Sequence, residues 1–159
     1  MNRIILLILA VLTSATILTA QESAIGLRVG GTNLEGVEAS FQTELWGSRV
    51  EADLGFGANS GKYNYVNLTG LYQLVFPIDM GFYWFIGGGP SALVKNHYSR
   101  DDKSAYSELD LGIAFNGGAE YHIPNIPLQV GIDARPTVYL FHGGDFGLFN
   151  FALSARYKF

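Results

Sequence analysis

Three features of the 159-residue sequence predict an all-β fold, an eight-stranded antiparallel transmembrane β-barrel with a filled polar lumen. Apolar and polar residues alternate through eight segments, which is the period-2 pattern of half-buried strands. Short connections alternate with longer or more polar ones, as in a barrel whose two rims face different compartments. The chain has no cysteine and a formal net charge of −4, so it offers no disulfide framework, no thiolate metal site and no basic face for nucleic acid.

The first 20 residues have the layout of a secretory signal peptide. Arg3 supplies a positive start, residues 4–12 form an unbroken apolar run, and Ala20 offers a small residue for cleavage. An uncleaved membrane anchor is the alternative, but the apolar core is short for a span and no basic cluster follows it. We therefore expect a signal peptide at 1–20 and an outer-membrane β-barrel domain at 21–159.

The first four segments place large apolar residues on one face and small, polar or charged residues on the other. In the first segment, Ile25, Leu27 and Val29 alternate with Gly26 and Arg28. The other three repeat the pattern, and together the four span about 23–31, 36–45, 49–58 and 63–76. Each is therefore predicted to be a strand with one apolar and one polar face.

Three of the last four segments alternate in the same way, over about 107–121, 126–140 and 149–159. The segment at about 81–94 is aromatic on both faces, so its faces stay unassigned. Its glycine run, Gly87-Gly88-Gly89, lacks the lysine and the following helix of a phosphate-binding loop.

Aromatic residues gather near the segment ends, which favours a membrane barrel over a soluble sandwich. Phe56 and Tyr63 lie toward one predicted rim, and Trp46, Trp84 and Tyr157 toward the other. Amphipathic rings favour the headgroup level of a bilayer, so a spanning barrel shows an aromatic girdle at each rim.

Charged residues on the polar faces are predicted to form a paired network in the lumen. An eight-stranded barrel is just wide enough for side chains to fill it, and unpaired buried charges are strongly unfavourable. A proton path, an ion path or a narrow solute pore is the functional alternative to this polar core. The predicted network consists of Arg28, Glu51, Asp53, Glu120, Asp133, Arg135 and Arg156.

The sequence predicts no metal ion and no cofactor. It indicates no catalytic role for most of its polar residues. Its three histidines, His97, His122 and His142, are far apart and none has the spacing of a metal ligand set.

The closing strand carries an assembly signal. Phe159 ends the sequence, Tyr157 lies two residues before it, and apolar residues continue at every second position back to Phe149. This strand resembles the C-terminal segment that the outer-membrane barrel assembly machinery recognises, which makes that machinery an expected partner.

Four stretches resemble the OmpA/OmpX-like small outer-membrane β-barrels of the porin superfamily in Gram-negative bacteria. They are residues 24–30, 68–72, 83–89 and 153–159. The resemblance implies the cell outer membrane as location, outer-membrane lipids as partners and a structural or surface-interaction role, with an extracellular ligand at loops such as 95–106. Most such proteins have no assigned activity, so the resemblance implies no catalytic residues.

One local pattern leaves a lipid A-modifying acyl hydrolase open as an alternative function. His97 and Ser99 are two residues apart and Glu108 follows, which supplies a base, a nucleophile and an orienting carboxylate. The pair resembles the His-x-Ser of outer-membrane lipid A deacylases. The context that follows in that family is missing, because Arg100 and two aspartates stand there, and a solvated polar loop explains the same residues.

Deleting Phe159 should lower the amount of folded protein in the membrane far more than deleting Asp101 from the predicted loop. The reason is that only the first deletion removes the terminal aromatic of the proposed assembly signal. The measurement is the folded fraction in isolated membranes, and equal levels for the two deletions would show that the terminal strand is not such a signal.

Overall fold

A computed structural model describes residues 22–30, 36–59, 63–98, 105–140, 146–147 and 151–159, and these form an antiparallel β-sheet that closes on itself. The predicted signal peptide at 1–20 lies outside the described residues. The strands are β1 (Ser23–Gly30), β2 (Gly36–Leu45), β3 (Ser48–Asn59), β4 (Tyr63–Pro77), β5 (Phe82–Tyr98), β6 (Ala105–His122), β7 (Leu128–Ala134), β8 (Thr137–Tyr139), β9 (Phe146–Gly147) and β10 (Phe151–Lys158).

Consecutive strands pair from β1 to β6, and β1 pairs with β10 to close the ring. β7 pairs with β6 and β10, while β8 pairs with β6 and β9. β7 with β8 and β9 with β10 therefore occupy the seventh and eighth positions around the barrel. This confirms the predicted eight-stranded antiparallel β-barrel.

The seventh position differs from the single strand expected at about 126–140. It is interrupted between Ala134 and Thr137, where Pro136 has no N–H to donate to a neighbouring strand. The Pro136 carbonyl still accepts a hydrogen bond of 2.9 Å from the Phe115 amide, so the strand stays attached to β6 across the break.

The barrel places its apolar faces outward and its polar faces inward. Leu27 on β1 is 55% exposed and Leu153 on β10 is 65% exposed, whereas Arg28, the residue after Leu27, is 1% exposed. The outward and inward positions are those that the alternation predicts, because successive strand residues point to opposite faces of the sheet.

The faces of β5, which the sequence left unassigned, are decided by the neighbouring strand. Trp84 points outward and Phe85 is buried in the lumen, where Gly118 on β6 leaves room for the Phe85 ring. A Cβ atom on Gly118 would lie 2.8 Å from the Phe85 Cζ. The ring of Tyr65 covers Gly57 in the same way. Aromatic rings and glycines on adjacent strands therefore fill the lumen together.

The short turns, the start of β1 and the end of β10 lie at one end of the barrel. Trp46 and Gly47 connect β2 to β3, residues 78–81 connect β4 to β5, and residues 123–127 connect β6 to β7. The Phe159 amide donates a 2.8 Å hydrogen bond to the Ser23 carbonyl at this end. No helix among the described residues is long and apolar enough to cross a membrane.

Gly118→Ala should destabilise the fold by about 1–3 kcal/mol, because overfilling a packed interior forces the backbone or the Phe85 ring to move. The added Cβ would also collide with the Ile132 carbonyl oxygen. Gly117→Ala is the matched control on the same strand, since its nearest neighbour would be an ordinary 3.6 Å away. Urea unfolding of the refolded proteins compares the two, and similar midpoints would contradict the packing described for Gly118.

Candidate functional site in the barrel lumen

All seven residues predicted for the lumen network lie inside the barrel and are nearly inaccessible to solvent. None of them is more than 4% exposed. They are contributed by β1, β3, β6, β7, the break after β7, and β10, so barrel closure is what brings them together. They are Arg28, Glu51, Asp53, Glu120, Asp133, Arg135 and Arg156.

Arg135 lies at the centre of the network and contacts three carboxylates. Its Nη1 donates to Glu38 Oε2 at 2.8 Å, and its Nη2 donates to Glu51 Oε1 at 3.1 Å and to Asp53 Oδ2 at 2.6 Å. Arg156 donates to the same Glu51 oxygen at 3.0 Å from the other side. The interruption after β7 therefore places a guanidinium among the carboxylates of β2 and β3.

A second arginine extends the network through two acids. Arg28 binds both oxygens of Asp133, with Nη2 at 2.7 Å from Oδ1 and Nε at 3.0 Å from Oδ2. Its Nη1 donates to Glu38 Oε2 at 3.0 Å. Glu38 Oε2 thus accepts from Arg28 and Arg135 together, and this shared oxygen joins β1, β2 and the β7 region.

Toward the short turns, Gln73 joins this centre to a second cluster. The Gln73 amide donates to Glu51 Oε2 at 2.8 Å, and its oxygen accepts from Arg49 Nε at 2.6 Å. Arg49 Nη1 then donates to Glu120 Oε1 at 2.6 Å, and His122 Nε2 lies 2.9 Å from the same oxygen. Hydrogen bonds consequently run without a gap from Asp133 to His122.

Four charged members of this lumen were missing from the predicted set. They are Glu38 and Arg49, which belong to the network above, and Lys95 and Asp110, which form a 2.8 Å ion pair nearer the loop end. The alternation contained the signal for Arg49, because it has the same parity along β3 as Glu51. Sequence reasoning missed Arg49 because it is the first residue of the predicted segment. The turn before it has no alternation from which the face of a residue could be predicted.

The hydrolase alternative falls mostly on residues that lie outside the described part of the chain. Ser99 lies outside the described residues, as do the His97 side chain and His142. Glu108 lies on β6 opposite Lys95 of β5. Among the described residues, no group of three or more histidine, aspartate or glutamate side chains is arranged to hold a metal ion.

The two residues of the predicted assembly signal lie on the barrel exterior at the short-turn end. Tyr157 is 55% exposed and Phe159 is 67% exposed. Beside them, Lys158 Nζ lies 2.8 Å from Glu22 Oε2. That hydrogen bond and the ammonium charge of Lys158 lower the pKa of the Glu22 carboxyl. The start of β1 and the end of β10 are thus held together by this partly exposed ion pair and by the β1–β10 ladder.

The chemistry of the lumen is that of a packed polar core. Each guanidinium of the network contacts at least one carboxylate, and neutral groups such as Ser40 and Gln42 bind further donors and acceptors. Among the described residues, three atoms of the network are buried without a hydrogen-bond partner: Arg49 Nη2, Asp53 Oδ1 and Arg135 Nε. Arg49 also lies 4.9 Å above the Phe85 ring, a favourable cation–π contact. Such a network holds opposite walls of the barrel together and fills the space between them.

Comparison with solved structures defines the class of fold. The barrel is similar to the N-terminal β-barrel domain of Pseudomonas aeruginosa OprF and to Neisserial surface protein A (NspA). Each has a TM-score of 0.63 and 12% sequence identity, over 87% of this chain and 96% of the other. At that identity the likeness shows a shared small β-barrel fold. No family model matches the sequence, and no curated protein matches it.

Arg135→Ala should destabilise the barrel by about 3–5 kcal/mol, because it leaves buried carboxylates without their counter-charge. Lys158→Ala is the control, since its exposed ion pair with Glu22 contributes at most about 1 kcal/mol. Urea titration of the refolded variants measures both. Equal midpoint shifts would show that the lumen network does not hold the barrel together.

Proposed function

We propose that this chain is a non-enzymatic outer-membrane β-barrel protein of a Gram-negative bacterium, with a structural or surface-interaction role. The observation that carries the proposal is the inverted distribution of polarity across the barrel wall. Charges such as Arg28 and Glu51 are 1% exposed inside, while large apolar side chains cover the outside.

The outer wall is apolar around the whole circumference of the barrel. Each barrel position contributes exposed aliphatic or aromatic side chains, for example Leu27 from β1, Leu54 from β3, Ile113 from β6 and Leu153 from β10. Soluble monomers rarely expose contiguous apolar areas of this extent, whereas a lipid bilayer covers them. Outer-membrane lipids are accordingly the partner that we propose for this surface.

The two ends of the barrel support an orientation. The start of β1, the end of β10 and the short turns share one rim, and outer-membrane barrels place short turns on the periplasmic side and longer loops outside. We therefore assign the rim with Trp46 and Phe159 to the periplasm.

The opposite rim, where β5 ends at Tyr98 and β6 begins at Ala105, is then the surface that would meet an extracellular ligand. Of the loop expected at 95–106, residues 95–98 and 105–106 belong to these two strands, and residues 99–104 lie outside the described residues. One protein of similar fold is itself named a surface protein, which supports this role.

The lumen favours a structural role over conduction. Hydrogen-bonded side chains extend from Asp133 to His122 along the barrel interior, and an eight-stranded barrel has room for side chains but not for a wide water column. Within this proposal the barrel assembly machinery is a partner during biogenesis, through the strand that carries Tyr157 and Phe159. No cofactor is part of the proposal.

Cell fractionation tests the location. The wild-type protein should be recovered with the outer membrane and should migrate faster on a gel without boiling, because a closed barrel resists detergent. Leu54→Arg, at the middle of β3, should reduce that folded species, since a charge on the lipid face near mid-membrane costs about 2–4 kcal/mol, while Leu54→Ile should not. Recovery of the wild-type protein as a soluble periplasmic species would contradict the proposal.

A further inference from the structure

The centre of the lumen network holds more carboxylates than guanidiniums. Ion pairs of 3.1 Å or shorter connect three arginines to four acids there: Arg28, Arg135 and Arg156 with Glu38, Glu51, Asp53 and Asp133. The pairs Arg49–Glu120 and Lys95–Asp110 add one charge of each sign, and His122 contacts Glu120 at the short-turn end. If all seven groups of the centre were ionised, it would hold one unbalanced negative charge.

Burial makes such an unbalanced charge unfavourable. Glu51 and Asp53 are each 1% exposed, and Asp133 is 4% exposed. A charge that has been removed from water without a partner costs so much free energy that the group is neutralised instead. One of the four carboxylates is therefore expected to bind a positive species, of which a proton is the smallest.

Three of the four carboxylates are bound as anions. Glu51 accepts four hydrogen bonds, two at Oε1 from arginines and two at Oε2 from the amides of Gln42 and Gln73. Glu38 Oε2 accepts from two arginines. Arg28 binds both oxygens of Asp133. Hydrogen bonds from charged donors favour the ionised form of an acid, so these three acids keep their negative charge.

Asp53 is the acid with the fewest donors. Its Oδ2 accepts from Arg135 Nη2 at 2.6 Å, but its Oδ1 is buried without a hydrogen-bond partner. The same Nη2 also donates to Glu51 Oε1 at 3.1 Å, so Asp53 shares this cation with a second acid. Arg156 donates to Glu51 and to Ser40. The unpartnered oxygen of Asp53 is thus the position where an added proton relieves the most unfavourable contact.

The wall around Asp53 supplies no further positive charge. The residues paired with Asp53 on the adjacent strands are Ser40 on β2 and Thr69 on β4, and both are uncharged. The next inward positions along β2, β3 and β4 include two charged residues, Glu38 and Glu51, and both are acids. Two like charges beside a buried carboxyl disfavour its ionisation.

We propose that Asp53 is a proton-binding site, which holds a neutral carboxyl with its proton on Oδ1 beside the ionised Glu51. The bound proton comes from solution when the barrel closes, and it brings the charge of the network centre to zero. The inference goes beyond the proposed role in the membrane, because it requires the closed barrel but neither a lipid nor a surface ligand.

Proton binding on folding makes the stability of the barrel depend on pH. An aspartate in an unfolded chain ionises at about pH 4, so at mildly acidic to neutral pH the folded protein holds one proton more than the unfolded chain. Stability therefore falls as the pH rises through this range, and one proton corresponds to about a tenfold increase in the unfolding equilibrium constant per pH unit. The paired acids act in the opposite direction, but only at lower pH, where the unfolded chain takes up protons.

Infrared spectroscopy of the refolded wild-type protein provides the first test. At mildly acidic pD, the folded protein should show the carbonyl band of one protonated carboxyl, and carboxyl-labelled 13C-aspartate should shift that band while 13C-glutamate should not. The band should be absent from Asp53→Asn and present in Asp79→Asn, the matched control in an exposed turn. A wild-type protein without the band, or with a band that follows the glutamate label, would overturn the proposal even if Asp53→Asn does not fold.

Urea unfolding as a function of pH provides the second test. The ratio of the wild-type unfolding constant to that of Asp53→Asn should rise by up to tenfold per pH unit from mildly acidic to neutral pH. Histidines titrate in both proteins, so the ratio isolates Asp53. The wild-type midpoint should be the same in sodium, potassium and choline chloride. A ratio that stays constant or falls, or a midpoint that depends on the metal cation, would show that Asp53 is ionised and would refute the proton site.

Discussion

The narrow lumen of an eight-stranded barrel is the constraint on which the rest of this structure depends. Closure of the ring leaves space for side chains but little for water, so the inward charges find their partners in the wall opposite or beside them. Arg135 illustrates the result, since it contacts carboxylates from both β2 and β3. Removing one member of such a network exposes the others to the full penalty of a buried unpaired charge, whereas the intact network joins distant strands.

Glycine and aromatic residues together fill the rest of the lumen. Four arginines with long side chains share the lumen with rings such as Phe85 and Tyr65. The strands paired with those of the two rings carry Gly118 and Gly57. The rings pack over the glycine backbone, so the lumen is densely filled without a larger barrel diameter. Glycine is unfavourable inside a strand for reasons of entropy, and here close packing of a neighbour compensates for it.

The two rims of the barrel differ in physical character. The rim with Ser23 and Phe159 has tight turns, a positive φ of 53° at Trp46 and the stacked rings of Phe76 and Trp84. Polar pairs such as Lys95 and Asp110 lie toward the other rim, where β5 ends and β6 begins. In the proposed function, the first rim faces the periplasm and the second rim faces the surroundings.

By itself the sequence determined the fold class, the number of barrel strands and the direction of nearly every side chain, because the period-2 alternation survives in all but one segment. It also identified seven inward charges from their parity. The tertiary structure decided what local pattern cannot contain. It placed Arg49 with Glu120, which are 71 residues apart, and it turned Phe85 inward because Gly118 on the next strand leaves room. It broke the seventh strand at Pro136, and so brought Arg135 to Asp53. Alternation encodes which face a residue takes, but only the register between strands encodes which residue it meets.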